Sequence, residues 1–205
     1  MPLILLIRHG ENNHMKKGRL AGRLPGVHLN EEGRTHAQAT AEKLKEAPLQ
    51  AVYSSPLERA FETAEIIAQP HNLPVTLRPG LMETNCGEWQ DKTVKSLSRL
   101  KAWRIVQSAP SRFRFPGGET FTETQFRICQ EIEALCAQHD PKDVIACVSH
   151  ADPIRLAVAF FLGLPLDSFQ RLALSPASIT ALMIGEMGSQ LLTLNYDPAF
   201  KISKP

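Results

Sequence analysis

Five consecutive apolar residues, Leu3 to Ile7, run directly into Arg8-His9-Gly10-Glu11. A strand with one wet face alternates apolar and polar residues. An unbroken run is the pattern of a strand covered on both faces, as in a parallel sheet flanked by helices. A second buried strand, Asp143 to Val148, leads into Ser149-His150.

The intervening chain supplies the helices such a sheet needs. Asn30 is placed to cap a helix that passes through Ala37, Ala41 and Leu44 and stops before Pro48. Ala51 to Tyr53 reads as a short strand. Ser55, Pro56 and Glu58 read as a helix start, with cap, first-turn proline and a glutamate at the third position. Leu57, Ala60, Ala64 and Ile67 give that helix a buried stripe. Pro74 to Leu77 suits another strand. A helix is expected from about Val94 to Gln107, a loop over Arg112 to Gly118, and a helix from Thr120 to His139. A further helix is expected from Pro153 to Leu162, then strands Ile179 to Ile184 and Gln190 to Leu194, joined near Met187-Gly188. Alternating strands and helices imply an α/β three-layer sandwich, a mostly parallel central sheet with helices on both faces. Ligands in such sheets bind beyond the carboxyl ends of the strands, where His9 and His150 both fall.

The formal charge of the 205 residues is only +2, so no global basic field argues for nucleic acid or an anionic membrane. Cys86, Cys129, Cys136 and Cys147 form no C-x-x-C pair and read as buried free thiols. The apolar start is too short for a signal peptide, and the run from Leu156 to Leu166 is well under the ~20 residues of a membrane span. A cytoplasmic protein, monomeric or homodimeric, is the expectation.

Singly, a histidine after a strand is more often structural than catalytic; the set argues for more. Arg8 and His9 end one strand, His150 another, and Arg59 lies in the first turns of the helix after Ser55-Pro56. Two guanidiniums and two imidazoles at one sheet edge repel one another unless an anion compensates them. Phosphate is the natural choice, because the planar guanidinium fork matches two of its oxygens.

At this point the sequence resembles the histidine phosphatase superfamily, the group containing cofactor-dependent phosphoglycerate mutases. The resemblance covers nearly the whole chain. It rests on Arg8-His9-Gly10-Glu11, Ser55-Pro56-Leu57-Glu58-Arg59-Ala60, Leu81-Met82-Glu83 with Gly87 and Trp89, Pro116-Gly117-Gly118-Glu119-Thr120, and Val148-Ser149-His150. It implies a single domain over residues 1–205, with a small cap-like insertion at about 84–118. It implies His9 as the nucleophile that takes the phosphoryl group, and Arg8, Arg59 and His150 as the clamp on its oxygens. Glu83 becomes the acid that protonates the leaving oxygen and then the base that activates water. Asn12, Arg19, Gly22 and Ala151 become substrate contacts. No metal and no cofactor are implied.

Three positions depart from the family pattern. Asn12 stands where Ser or Thr is usual, and Met15, where Asn is usual, cannot donate a hydrogen bond. Asn13 is a candidate substitute. Ala151-Asp152-Pro153 follows His150 where Gly-Gly is frequent. The loop from Lys16 to Gly26 carries Lys16, Lys17, Arg19 and Arg23 and no acid, and is expected to form a basic rim for a second anionic group. The expected activity is hydrolysis of small phosphomonoesters. The alternatives are a phosphoglycerate mutase, disfavoured by the short Glu83 to Gly117 segment, and a non-catalytic phospho-ligand-binding module, disfavoured by the complete residue set.

Overall fold

The computed structural model describes residues 2–185 and 188–198. In chain order the elements are β1 (Leu3–Arg8), α1 (Asn13–Lys16), α2 (Glu31–Leu44), β2 (Leu49–Ser54), α3 (Glu58–Ala68) and β3 (Val75–Leu77). Then follow α4 (Val94–Leu97), α5 (Lys101–Ser108), α6 (Phe121–Cys136), β4 (Val144–Ser149), α7 (Ala151–Phe161), β5 (Ile179–Gly185) and β6 (Gly188–Tyr196).

The strands form one mixed sheet in the order β3-β2-β4-β1-β5-β6, parallel from β3 to β1 and antiparallel at β5 and β6. Alternate residues of β1 explain its unbroken apolar run. Leu5 and Ile7 pack with Ala41, Ala60, Ala64 and Ile67 of α2 and α3. Ile4 and Leu6 pack with Ile128 and Ile132 of α6 and with Ile154 and Val158 of α7. The expected sandwich with helices on both faces is therefore present. With α2 and α3 on one face and α6 and α7 on the other, the chain reverses between the neighbours β1 and β4 and opens a crevice beyond their carboxyl ends.

The segment 84–118 builds a third cluster, in which Trp89 packs against Trp103, Phe113 and Phe115. Phe121 at the start of α6 and Phe169 continue it into the body of the domain.

Several boundaries differ from expectation for local reasons. Ser55 does not cap α3: the cap position is Leu57, without a side-chain bond, and the Ser55 hydroxyl meets His150 instead. The helix expected over 94–107 is two, because Ser98 bonds back to the Lys95 carbonyl and Leu100 turns extended. The helix after β4 starts at Ala151 rather than Pro153, with His150 at its cap position. The start of the basic loop is the short helix α1, capped by Asn12. Thr120 and Glu123 form a full capping box on α6. Met187 lies outside the described residues, so the expected turn is described only from the pairing of Gly185 with Gly188. Among the described residues no helix is long and apolar enough to cross a membrane.

Candidate active site

Strand register assembles the site. Arg8 of β1 pairs with Ser149 of β4, so His9 and His150, the next residue on each strand, become neighbours. The His9 amide donates to the Ser149 carbonyl at 2.9 Å. Ser54 of β2 pairs with Val148, and the Ser55 amide donates to the Val148 carbonyl at 2.9 Å, which brings the start of α3 alongside. Gly10 is required where the chain leaves β1, since a Cβ there would lie 2.5 Å from the Gly33 carbonyl oxygen in α2.

Arg59, only 1% exposed, lies between the two imidazoles. Its Nε donates to His9 Nε2 at 3.2 Å, and its Nη2 reaches His150 Nδ1 at 3.1 Å and the Gly22 carbonyl at 2.8 Å. The rings of His9 and His150 stand edge to face, with centroids 5.1 Å apart.

These contacts fix the proton on each ring. His9 Nδ1 lies 2.7 Å from the Gly10 carbonyl, which can only accept, so Nδ1 carries the hydrogen and the unprotonated Nε2 accepts from Arg59 Nε. Burial, then the charges of Arg59 and Arg8, hold His9 well below the usual imidazole range. His150 is lowered too, first by burial and then by Arg59. Its Nδ1 accepts from Arg59, which leaves Nε2–H to donate to Ser55 Oγ at 2.8 Å.

Arg8 completes the cationic wall. Its Nη1 donates to the Leu174 carbonyl at 2.5 Å and its Nη2 meets the Met15 sulfur at 3.7 Å. Burial, then the charge of Arg155, lowers its pKa to about 10.

Glu83 faces this wall. Its Oε1 accepts from the Thr84 amide at 2.9 Å, and Oε2 lies 4.0 Å from His150 Nδ1. Burial, reinforced by the Asp152 charge, pushes its carboxyl up to about 7. Its backbone is clamped. Arg23 Nε donates to the Glu83 carbonyl at 2.8 Å, and Arg127 holds the Gly80 and Met82 carbonyls at 2.8 and 2.9 Å. Glu119 ties the two arginines together, at 2.7 Å to Arg23 and 3.2 Å to Arg127. Gly87 has φ +49, and a Cβ on it would strike the Pro116 carbonyl. The motif around Glu119 thus holds the backbone at Glu83 through Arg23 and Arg127.

A cavity of about 200 Å³ opens over the cluster, small beside drug-sized pockets and suited to a small metabolite. Of the nine residues singled out from the sequence all border it except His150, which is wholly buried, its Nδ1 between Arg59 and the Glu83 carboxylate. Asn12 has two uses: its Oδ1 accepts from the Met15 amide, while its buried Nδ2 has no partner among the described residues. Arg19 donates to the backbone and carboxylate of Asp91, the latter at 3.1 Å. Asn13 is exposed and does not border the cavity, so it does not replace a lost phosphate ligand. Arg23 is committed to Glu83 and Glu119 and is no part of a free basic rim.

Sequence reasoning missed Ser55 as the partner of His150, Arg127 as a brace and Asp152 as a wall of the cavity. The Ser55-Pro56 pair carried a stronger helix-cap signal, and the other two carried none. Among the described residues no group of three His, Cys, Asp or Glu side chains could hold a metal.

A family model described as the histidine phosphatase superfamily, branch 1, matches residues 4–197. Phosphoserine phosphatase 1 of Hydrogenobacter thermophilus is 29% identical over 197 residues, which is 95% of this chain and 92% of that protein. A 2,3-bisphosphoglycerate-dependent phosphoglycerate mutase of Thermoplasma acidophilum is 30% identical over 195 residues, again 95% and 92%. Among solved structures, a mycobacterial glucosyl-3-phosphoglycerate phosphatase in complex with VO3 superposes with a TM-score of 0.88 at 27% identity, covering 96% of this chain and all of that one. A phosphoserine phosphatase from Entamoeba histolytica in complex with phosphoserine gives 0.86 at 26% identity, covering 95% and 97%.

Proposed function

The chain belongs to the histidine phosphatase superfamily, and from that premise we propose that it hydrolyses small phosphomonoesters through a phosphohistidine at His9. One observation carries the reading. Arg8 Nε, Asn12 Nδ2 and Arg59 Nη1 are buried donors without a partner among the described residues, and all three residues border the cavity together with His9, whose Nε2 is unprotonated. Buried donors left unpaired are costly. Phosphoryl oxygens satisfy all three and neutralise the two guanidiniums.

The reaction then follows from the geometry. His9 Nε2 attacks phosphorus as the bond to the ester oxygen breaks, and Glu83, protonated at first, passes its proton to the departing alcohol. Arg8, Arg59 and His150 hold the equatorial oxygens through the charge build-up, the main task of an enzyme transferring a phosphoryl group. His150 fits as a donor once the incoming dianion favours a proton on its Nδ1. In the second half Glu83, now a carboxylate, takes a proton from water. The water oxygen bonds to phosphorus, the N–P bond breaks, and inorganic phosphate leaves. The guanidiniums supply the positive charge, so the reading requires no metal.

Mutase relatives keep a second reading in view, transfer of the phosphoryl group back to an acceptor rather than to water. The two cations of the cavity that no carboxylate binds, Arg8 and Arg59, both serve a single phosphoryl group, which favours hydrolysis of a monoester. Rapid acid quench of the enzyme during turnover tests the proposal. The trapped protein should carry an acid-labile, base-stable phosphate that His9→Ala lacks, and EDTA should leave phosphate release unchanged. A base-labile phosphoserine, or conversion of 3-phosphoglycerate to 2-phosphoglycerate without free phosphate, would reject hydrolysis through His9.

A further inference from the structure

Granting hydrolysis at His9, the walls beyond the phosphoryl clamp sort alcohols by charge. On one side Met15, Leu20, Ala21 and Cys86 present no charge, and burial holds the Cys86 thiol well above its ordinary value. Arg19 is the one basic side chain bordering the cavity outside the clamp among the described residues, and it is already bonded to Asp91. At the start of α7, Asp152 also borders the cavity, with its side chain 34% exposed. Its only ion pair among those described is with Arg155 at 3.2 Å, and Arg155 itself does not border the cavity. Beside the cationic clamp the cavity thus carries one partly exposed carboxylate, close enough to Glu83 to act on its charge.

We propose that Asp152 selects the leaving alcohol, favouring phosphomonoesters whose alcohol carries an ammonium group and disfavouring those whose alcohol carries a carboxylate. An ammonium two carbons from the ester oxygen would exchange water for Asp152, whereas a carboxylate there would meet the charge of Asp152, and Arg19, the basic side chain outside the clamp, is already paired with Asp91. Partial exposure screens the effect, so the expected discrimination is about tenfold for each step of charge rather than many orders.

The test compares three esters of nearly equal size: 2-aminoethyl phosphate, 2-hydroxyethyl phosphate and phosphoglycolate. The readout is kcat/KM for phosphate release at low ionic strength. The native enzyme should rank them in that order. Asp152→Asn should collapse the ranking while still hydrolysing the neutral ester. Arg155→Ala breaks the ion pair but keeps the carboxylate, and should preserve the ranking, which separates charge selection from a structural role of the pair. The proposal is overturned if the native enzyme prefers phosphoglycolate, if Asp152→Asn keeps the original ranking, or if a carboxylate preference disappears in Arg19→Ala. Hydrolysis of the neutral ester with the wrong ranking removes this inference alone. No phosphate from any of the three removes the hydrolase reading, and this inference with it.

Discussion

Glu83→Gln separates the two duties assigned to one carboxyl. The substitution keeps the shape, and the amide oxygen can still accept from the Thr84 amide as Oε1 does at 2.9 Å. What disappears is a proton that can be given and taken back. For an alkyl phosphate the leaving alkoxide needs that proton, and kcat/KM should fall by about 10² to 10⁴. For 4-nitrophenyl phosphate the leaving phenolate is stable unprotonated, so kcat/KM should fall about tenfold or less. The parameter kcat/KM stops at the first irreversible step, which is release of the alcohol. The later attack of water, where Glu83 acts as base, appears only in kcat, which should drop for both esters. The pH dependence follows from the carboxyl at about 7. The acid must be protonated, so the alkyl-to-aryl ratio of kcat/KM should decline above that pH in the native enzyme and stay flat in the variant. Taking the ratio cancels ionisation of the substrate phosphate. Equal losses on the two esters, or a flat ratio in the native enzyme, would refute Glu83 as the acid.

The same carboxyl predicts a stability change with a definite sign. Its folded value, about 7, lies above its ordinary 4.5, so the folded state binds the proton more tightly than the unfolded chain. That contribution is fully present below pH 4.5 and is lost as the pH rises through about 7. At about 1.4 kcal/mol per pH unit the whole window is worth about 3 kcal/mol. In urea titrations Glu83→Gln should therefore gain on the native protein between pH 5 and pH 8, and no gain would count against a carboxyl whose burial outweighs its cationic neighbours.

Two further substitutions probe the scaffold. Ser55→Ala removes the partner of buried His150 Nε2; it should cost about 1–3 kcal/mol in urea unfolding and lower kcat/KM, and unaltered kinetics would show that Ser55 does not set the imidazole. Arg23→Ala frees the backbone of Glu83 and leaves Glu119 one cation short, so kcat should fall with little change in KM; a rise in KM alone would restore Arg23 to substrate binding.

The sequence by itself determined that the first strand is covered on both faces, and it named the candidate residues that the fold gathers at one cavity. An unbroken apolar run can be satisfied only with cover on both faces, so Leu3–Arg8 had to be an interior strand. Histidines ending two such strands fall at the carboxyl edge of the sheet, where the crevice opens. The capping pattern at Asn30 was legible because it is local: the Asn30 side chain accepts from Gly33 three residues on. The tertiary structure decided everything that depends on which strand lies beside which. Ser55 has the sequence of a helix cap, but the β2–β4 register puts its buried hydroxyl 2.8 Å from His150, while its contact to the Leu57 amide stretches to 3.4 Å. Arg23 looked like part of a basic rim because its carboxylate, Glu119, is distant in sequence and reaches it only when α6 packs beside the loop. Asp152 reads as an ordinary acid in a first helical turn, and becomes a wall of the cavity only because β4 ends next to β1. Local bonding rules act over three or four residues and can be read along the chain. Charge pairing and pocket shape depend on distances through space, and only the folded arrangement sets those.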